Sequence, residues 1–185
     1  MEDIVIIGLG QIGGSIGMAL KQAKLRSAQI IGVDIDRGVA AKAQRKGAVD
    51  STERLRAEVV EDAALVIVAT PILAMKEVFQ EIATSLPVGC VVTDTGSTKE
   101  QILKWAEDLL PHHVSFVGGH PMAGREIQGI DGADPNLFNE RPYCIVPSLN
   151  ASKGAVQLVV DMVDAIKGVP YFVDAPEHDV LVGGI

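Results

Sequence analysis

The chain has 185 residues, 48% apolar and 22% charged, with a formal net charge of −8, enough for one well-buried domain and too short for two of ordinary size. The acidic balance offers no basic footprint, which speaks against nucleic acid and against an anionic membrane surface as partners. Met1-Glu2-Asp3 lacks the positive flank of a secretory signal, and the longest apolar run, residues 63–69, falls far short of the ~20 residues of a membrane span, so a cytoplasmic chain is expected.

Short β-branched runs alternate with longer stretches of helical period, the pattern of parallel strands joined by crossover helices. The predicted class is α/β, a Rossmann-like, doubly wound, mostly parallel sheet. A strand at 3–7 leads through Gly8-Leu9-Gly10-Gln11-Ile12-Gly13 into a helix at 11–24. That segment fits G-x-G-x-x-G in the strand-to-helix context that gives the motif its force. Gly8 permits the tight turn, Gly10 lets backbone approach a pyrophosphate, and Gly13 lets helix pack on strand. The next strand, 29–33, ends at Asp34, about 20 residues beyond Gly13, where a carboxylate would accept from the adenosine ribose. This favours NAD. Arg37 stands near enough to contact a 2′-phosphate, which keeps NADP as the alternative. Asp36 reads as the N-cap of a helix at 38–46.

A strand at 65–69 delivers Thr70-Pro71 to the ligand-binding edge, where their backbone lines a cofactor or simply starts the helix at 72–85. The strand at 90–93 is followed by Asp94-Thr95-Gly96-Ser97-Thr98-Lys99 and a helix at 99–110. Ser97 is the best-placed hydroxyl donor there, and equally the N-cap of a capping box closed by Glu100. The strand at 115–117 opens a long irregular stretch, 118–142, rich in Gly, Asp, Asn and Pro; loops of this length in compact domains are usually functional or disordered. It begins Gly118-Gly119-His120-Pro121-Met122-Ala123-Gly124. An imidazole between glycines, with an ordinary pKa of about 6.5, takes up a proton near neutrality. Six residues on, Glu126 orders a polar substrate or is merely solvated. Strands at 143–146 and 169–173 flank a helix at 152–166, and Pro71, Pro87, Pro111 and Gly168 mark the breaks. Pro176-Glu177-His178-Asp179 reads as the first turn of a further helix, with His178 a linker residue, and His112-His113 as a solvated helix end. Cys90 and Cys144 are isolated and apolar in setting, hence buried reduced thiols, and no metal site is visible.

These motifs together carry a resemblance: the chain is similar to the N-terminal half of a prephenate or arogenate dehydrogenase. The similarity runs through the glycine-rich start at Gly8 to Gly17, Asp94-x-x-Ser97-x-Lys99, the His120-Pro121-Met122-Ala123-Gly124 segment, Leu137-Phe138, Pro142-Tyr143 and Pro147. It implies an NAD-dependent oxidative decarboxylation of prephenate to 4-hydroxyphenylpyruvate in tyrosine biosynthesis, with arogenate as the alternative substrate. It further implies that His120 accepts the proton of the ring hydroxyl, that Ser97 bonds the same hydroxyl and orients His120, and that Glu126 stands near the substrate entrance. By the same resemblance, residues 1–175 are the dinucleotide-binding domain, and 176–185 begin a linker helix to a helical second domain that supplies a homodimer interface and a substrate-binding arginine. Two features depart from the family pattern: Arg125 occupies a position commonly Thr or Ser, and the sequence stops at Gly183-Gly184-Ile185, inside what should be a helix, where the family continues into its second domain; a fragment is therefore expected. A reading of another class is a non-catalytic NAD-binding module or inactive fragment, since fold alone does not establish chemistry. A β-hydroxy acid dehydrogenase would require a catalytic lysine, for which Lys99 is the sole and weak candidate.

Overall fold

The computed structural model describes residues 3–23 and 28–184. Met1, Glu2, Lys24 and Ile185, touched on above, lie outside the described residues. One eight-stranded sheet organises the chain. Its strands are β1 (Asp3–Ile7), β2 (Ile30–Val33), β3 (Ser51–Glu53), β4 (Ala63–Val68), β5 (Val91–Asp94), β6 (Ser115–Pro121), β7 (Pro142–Pro147) and β8 (Val169–Phe172). The spatial order is β3-β2-β1-β4-β5-β6-β7-β8, and its first six strands are parallel in the order of a dinucleotide-binding sheet. Strand β7 is antiparallel to β6, and β8 is parallel to β7. The connecting helices are α1 (Gln11–Gln22), α2 (Arg37–Arg45), α3 (Ile72–Ile82), α4 (Glu100–Leu109), α5 (Lys153–Ala165) and α6 (Ala175–Gly183), with 3-10 turns at Ala57–Val60 and Ile130–Gly132.

The continuous apolar strands follow from burial on both faces. Ile4 and Ile6 of β1 pack with Ile16 and Leu20 of α1 and Val159 and Val163 of α5. Val5 and Ile7 point the other way, into a core with Met75, Phe79 and Ile82 of α3 and Ile102 of α4. Successive side chains of one strand thus enter opposite layers, so polar residues have no face to occupy.

Three expectations change. Strand β3 is missing from the sequence reading because Ser51-Thr52-Glu53 is short and polar; it forms as an edge paired with β2. Strand β6 does not stop at Val117 but continues to Pro121, so His120 lies on the end of a strand and not in a loop. Gly118, Gly119 and Pro121 are residues that strands normally avoid. Here pairing with β7 overrides that preference, and a Cβ on Gly119 would sit 2.5 Å from the Asp94 carbonyl oxygen and 3.0 Å from the Tyr143 ring. The glycine is what lets β5, β6 and Tyr143 close together. Third, α4 is not capped by Ser97: its N-cap is Lys99, with no cap from its own side chain, and Ser97 is exposed.

Candidate active site

The turn between β1 and α1 is built for an anion. Gly10, the N-cap of α1, brings no side-chain cap, so the first-turn N–H groups, those of Gln11 and Ile12 among them, remain free for a ligand. Gly8 has φ +97°, and a Cβ there would lie 2.5 Å from the Ala69 carbonyl oxygen. At Gly13 a Cβ would be 1.9 Å from the Gly8 oxygen, whereas at Gly10 it would meet nothing within 4 Å. The turn is therefore packed tightly against β4 and α1 and open only at Gly10. Asp34 directly follows β2 and accepts from the Leu9 N–H (2.9 Å) and the Asp36 N–H (2.9 Å), so its half-buried carboxylate also holds the glycine turn in place. Asp36 caps α2 through Gly38 N at 2.7 Å, as its sequence position implied. Thr70 N would lie 2.9 Å from a Cβ on Gly8, and the Thr70 Oγ1 is buried with no partner in the folded chain. An orphaned buried hydroxyl beside an open, amide-lined turn fits a polar dinucleotide. Pro71 is the N-cap of α3, with Ile72 as the first helical residue.

The candidate chemical site lies at the carboxyl edge of β5 and β6. His120 Nδ1 is 2.9 Å from His178 Nε2, with ring centroids 5.1 Å apart at 71°. His178 Nδ1 is 2.7 Å from Asp179 Oδ1. The two Asp179 oxygens also accept from the Lys99 N–H (2.7 Å) and the Glu100 N–H (3.0 Å), capping α4 from outside where a carboxylate is favoured. Burial alone would raise the Asp179 carboxyl; hydrogen bonds from His178 and from the Glu100 and Lys99 amides outweigh it and hold the group below the usual carboxylate range. An ionised carboxylate only accepts. His178 therefore donates to Asp179 through Nδ1; where its Nε2 accepts, His120 donates through Nδ1 and keeps its lone pair on Nε2. Burial, reinforced by the His178 ring and the Lys99 cation and opposed by Asp179, brings the His120 pKa down to about 4. At neutral pH the ring is an unprotonated acceptor.

A pH dependence follows. The kcat/KM acid limb, which reports groups on the free enzyme, should stay level as pH falls through 6.5 and bend nearer 4; a limb centred on 6.5 would show an ordinary solvated imidazole. Between those values the unfolded chain binds a proton at His120 that the folded chain excludes. Stability should therefore decrease as pH is lowered from 6.5 toward 4. Thermal melts at pH 7.5 and 5 check this, and His120→Asn should flatten the difference.

Behind the pair, Lys99 and Asp94 form an ion pair with both side chains fully buried. Asp94 also accepts from the Gly96 N–H (2.7 Å) and the Gly119 N–H (3.1 Å), joining the 95–99 turn to β6 one residue before His120. Tyr143 Oη is buried beside Gly119; burial, then the Asp94 charge, raises its pKa, so it remains a neutral phenol.

The structure gathers Ser97, His120 and the glycine cradle onto one edge of the sheet. Among the described residues the ring of His120 is hydrogen-bonded to His178 and not to Ser97. Glu126 is exposed on the segment after β6. Arg125, left unassigned by sequence, pairs with Asp134. The linker reading of His178 is overturned, since this side chain is 1% exposed and contacts the candidate base. The capping pattern Asp174-x-x-Glu177, realised as Asp174 Oδ1 accepting from Glu177 N at 2.8 Å, signalled a helix start here. What no local pattern signals is that its first turn docks on α4. Cys90 and Cys144 are both buried. Among the described residues no helix is long and apolar enough to cross a membrane, and no group of three or more His, Cys, Asp or Glu could hold a metal ion.

Fold, cradle and histidine pair define a doubly wound nucleotide-binding domain with a buried histidine pair at its carboxyl edge. The sequence model for the nucleotide-binding domain of prephenate dehydrogenase matches residues 16–172, and the chain belongs to that family. It is 34% identical over 179 residues to the prephenate dehydrogenase of Bacillus subtilis (strain 168), covering 96% of this chain and 48% of that protein. The prephenate dehydrogenase of Aquifex aeolicus, in complex with hydroxyphenyl propionate and NAD+, superposes with a TM-score of 0.91 at 28% identity, over 99% of this chain and 63% of that one. Synechocystis arogenate dehydrogenase gives 0.88 at 29% identity, over 97% and 62%. The chain thus spans about half the length of the Bacillus subtilis protein.

Proposed function

We propose that this chain is the nucleotide-binding, base-bearing part of an NAD-dependent prephenate dehydrogenase, which converts prephenate to 4-hydroxyphenylpyruvate and carbon dioxide. The observation that carries the reading is the Asp179–His178–His120 hydrogen-bond chain, which holds an unprotonated imidazole at the same sheet edge as the glycine cradle. Gly8, Gly10, Gln11, Ile12 and Gly13 would hold the diphosphate by backbone, Asp34 the ribose, and Thr70 and Pro71 the neighbouring wall. Bound NAD would supply the hydride acceptor. His120 Nε2 would take the proton of the ring hydroxyl as its carbon is oxidised and return it to the phenol oxygen once carbon dioxide has left. Ser97 would hydrogen-bond that hydroxyl, and Glu126 would stand at the entrance.

In this reading residues 1–175 are the nucleotide-binding unit, 176–185 lead to a helical dimerisation unit, and the protein acts as a cytoplasmic homodimer. Val180 and Leu181 of α6, 76% and 51% exposed, are the apolar surface such a unit would cover. The likeness to an arogenate dehydrogenase supports arogenate as the second substrate reading. Asp34 supports NAD over NADP, whose 2′-phosphate would meet its charge. Steady-state rates of the full-length protein with each substrate and each nucleotide test the proposal. Turnover should be fastest with prephenate and NAD. NAD binding by calorimetry without turnover of either substrate would instead favour a non-catalytic nucleotide-binding module.

A further inference from the structure

Residues 122–129, between β6 and the 3-10 turn at Ile130–Gly132, belong to no helix or strand, yet they carry Glu126. The far end of this segment is well anchored. Lys42 of α2 pairs with Asp131, Lys46 Nζ donates to the Ile130 carbonyl (3.1 Å), and Asp134 N donates to Ser15 Oγ of α1 (2.9 Å). The stretch around Glu126 is held differently. Gln11, in the first turn of α1, accepts at Oε1 from the Arg125 N–H (3.0 Å), and its Nε2 donates to the Arg125 carbonyl (3.2 Å) and to the Ile127 carbonyl. Among the described residues these are the hydrogen bonds made by backbone atoms 124–128.

The contact is built closely. A Cβ on Gly132 would fall 1.8 Å from the Ile127 oxygen and 2.7 Å from Gln11 Nε2, and one on Gly14 would fall 2.6 Å from Ile130 Cδ1. Both segments thus use glycine where they cross. A single amide side chain uses its donor and acceptor ends together, which fixes the backbone on both sides of one residue, and that residue is Glu126.

We propose that Gln11 is a positioning residue for the substrate side of the site: through the Arg125 and Ile127 backbone it sets where Glu126 stands, although it lies within the nucleotide fingerprint. This rests on the reading of Glu126 as an entrance residue. It separates the two halves of Gln11, whose N–H faces the diphosphate cradle while its side chain serves the opposite ligand. Nucleotide affinity should therefore be insensitive to the side chain and substrate affinity sensitive to it.

The test compares wild type, Gln11→Met, Glu126→Gln and the double variant in the full-length protein, with kinetics and amide hydrogen exchange. Gln11→Met keeps length and removes the hydrogen bonds. It should raise the KM for prephenate roughly tenfold, the scale of losing one or two such bonds, with the KM for NAD changed less than twofold. The double variant should be no worse than the poorer single one, because both changes act through Glu126. Exchange at the amide of residue 125 should accelerate in Gln11→Met. A risen NAD KM with an unchanged prephenate KM, or additive effects of the two substitutions, would overturn the proposal. If wild type turns over neither substrate, the functional reading fails instead, and hydrogen exchange still decides whether Gln11 holds this segment: unchanged exchange at residue 125 would refute it.

Discussion

Replacing His120 with Asn should lower kcat by about 10³-fold, within the 10²–10⁴ that a positioned base contributes, while NAD binds with unchanged affinity. The expectation has two sources. Asn retains a donor that can still reach His178 Nε2, but it offers no basic nitrogen to a substrate hydroxyl, so acid–base function is removed with little disturbance to packing. The proposed nucleotide cradle is the β1–α1 turn, Asp34 and Thr70, and among the described residues the imidazole is hydrogen-bonded to His178 and to none of these, so cofactor affinity should not follow the loss in rate. Stopped-flow measurement of NADH formation with calorimetric titration of NAD separates the two. Turnover within tenfold of wild type would remove His120 from the chemistry and move the proton acceptor elsewhere.

The second large effect is on stability. Lys99→Met would leave the Asp94 carboxylate fully buried with the Gly96 and Gly119 amides but without its countercharge. Removing one member of a buried pair typically costs about 3–5 kcal/mol. At ~2–4 °C per kcal/mol for a domain of this size, the melting temperature should fall by roughly 10 °C. The double change Asp94→Asn with Lys99→Met removes the stranded charge and should recover part of that loss, because desolvation and not shape is the dominant penalty. A single variant that melts within two degrees of wild type would show that the carboxylate is satisfied by its amides alone. Lys99 also helps to lower the pKa of His120, so in this variant the acid limb of kcat/KM should move toward neutrality.

The parts of the fold that could be read from sequence are those where local and global requirements agree. Strand β1, its glycine turn and α1 were legible because an apolar run, a motif and a helical period all point one way. Strand β6 was cut short because its last four residues, Gly118-Gly119-His120-Pro121, carry the composition of a loop. What makes them a strand is pairing with residues about 25 positions later and the lack of room at Gly119 for any side chain. Neither is a local property. Of the candidate site, His120 stands out in sequence because a histidine between small residues is conspicuous, and Asp34 because its distance from the fingerprint is set by the length of a β-α-β unit. His178 and Asp179 look like ordinary first-turn residues of a helix. Their role arises only because β7 and β8 extend the sheet and return the chain to the end of α4, a docking that depends on tertiary geometry. The same holds for Gln11, which sits at an unspecified position of the glycine motif and whose partners lie 114 and 116 residues away.

The 58-residue separation of the two histidines has a consequence for a chain still emerging from the ribosome. The residues proposed to cradle the nucleotide have all been made by residue 70, whereas the edge-on imidazole pair and the carboxylate behind it can close only after α6 has been synthesised. The core that seats β1 and α1 also draws on Val159 and Val163 of α5, so the folded glycine turn and the histidine contact alike wait for the last third of the chain.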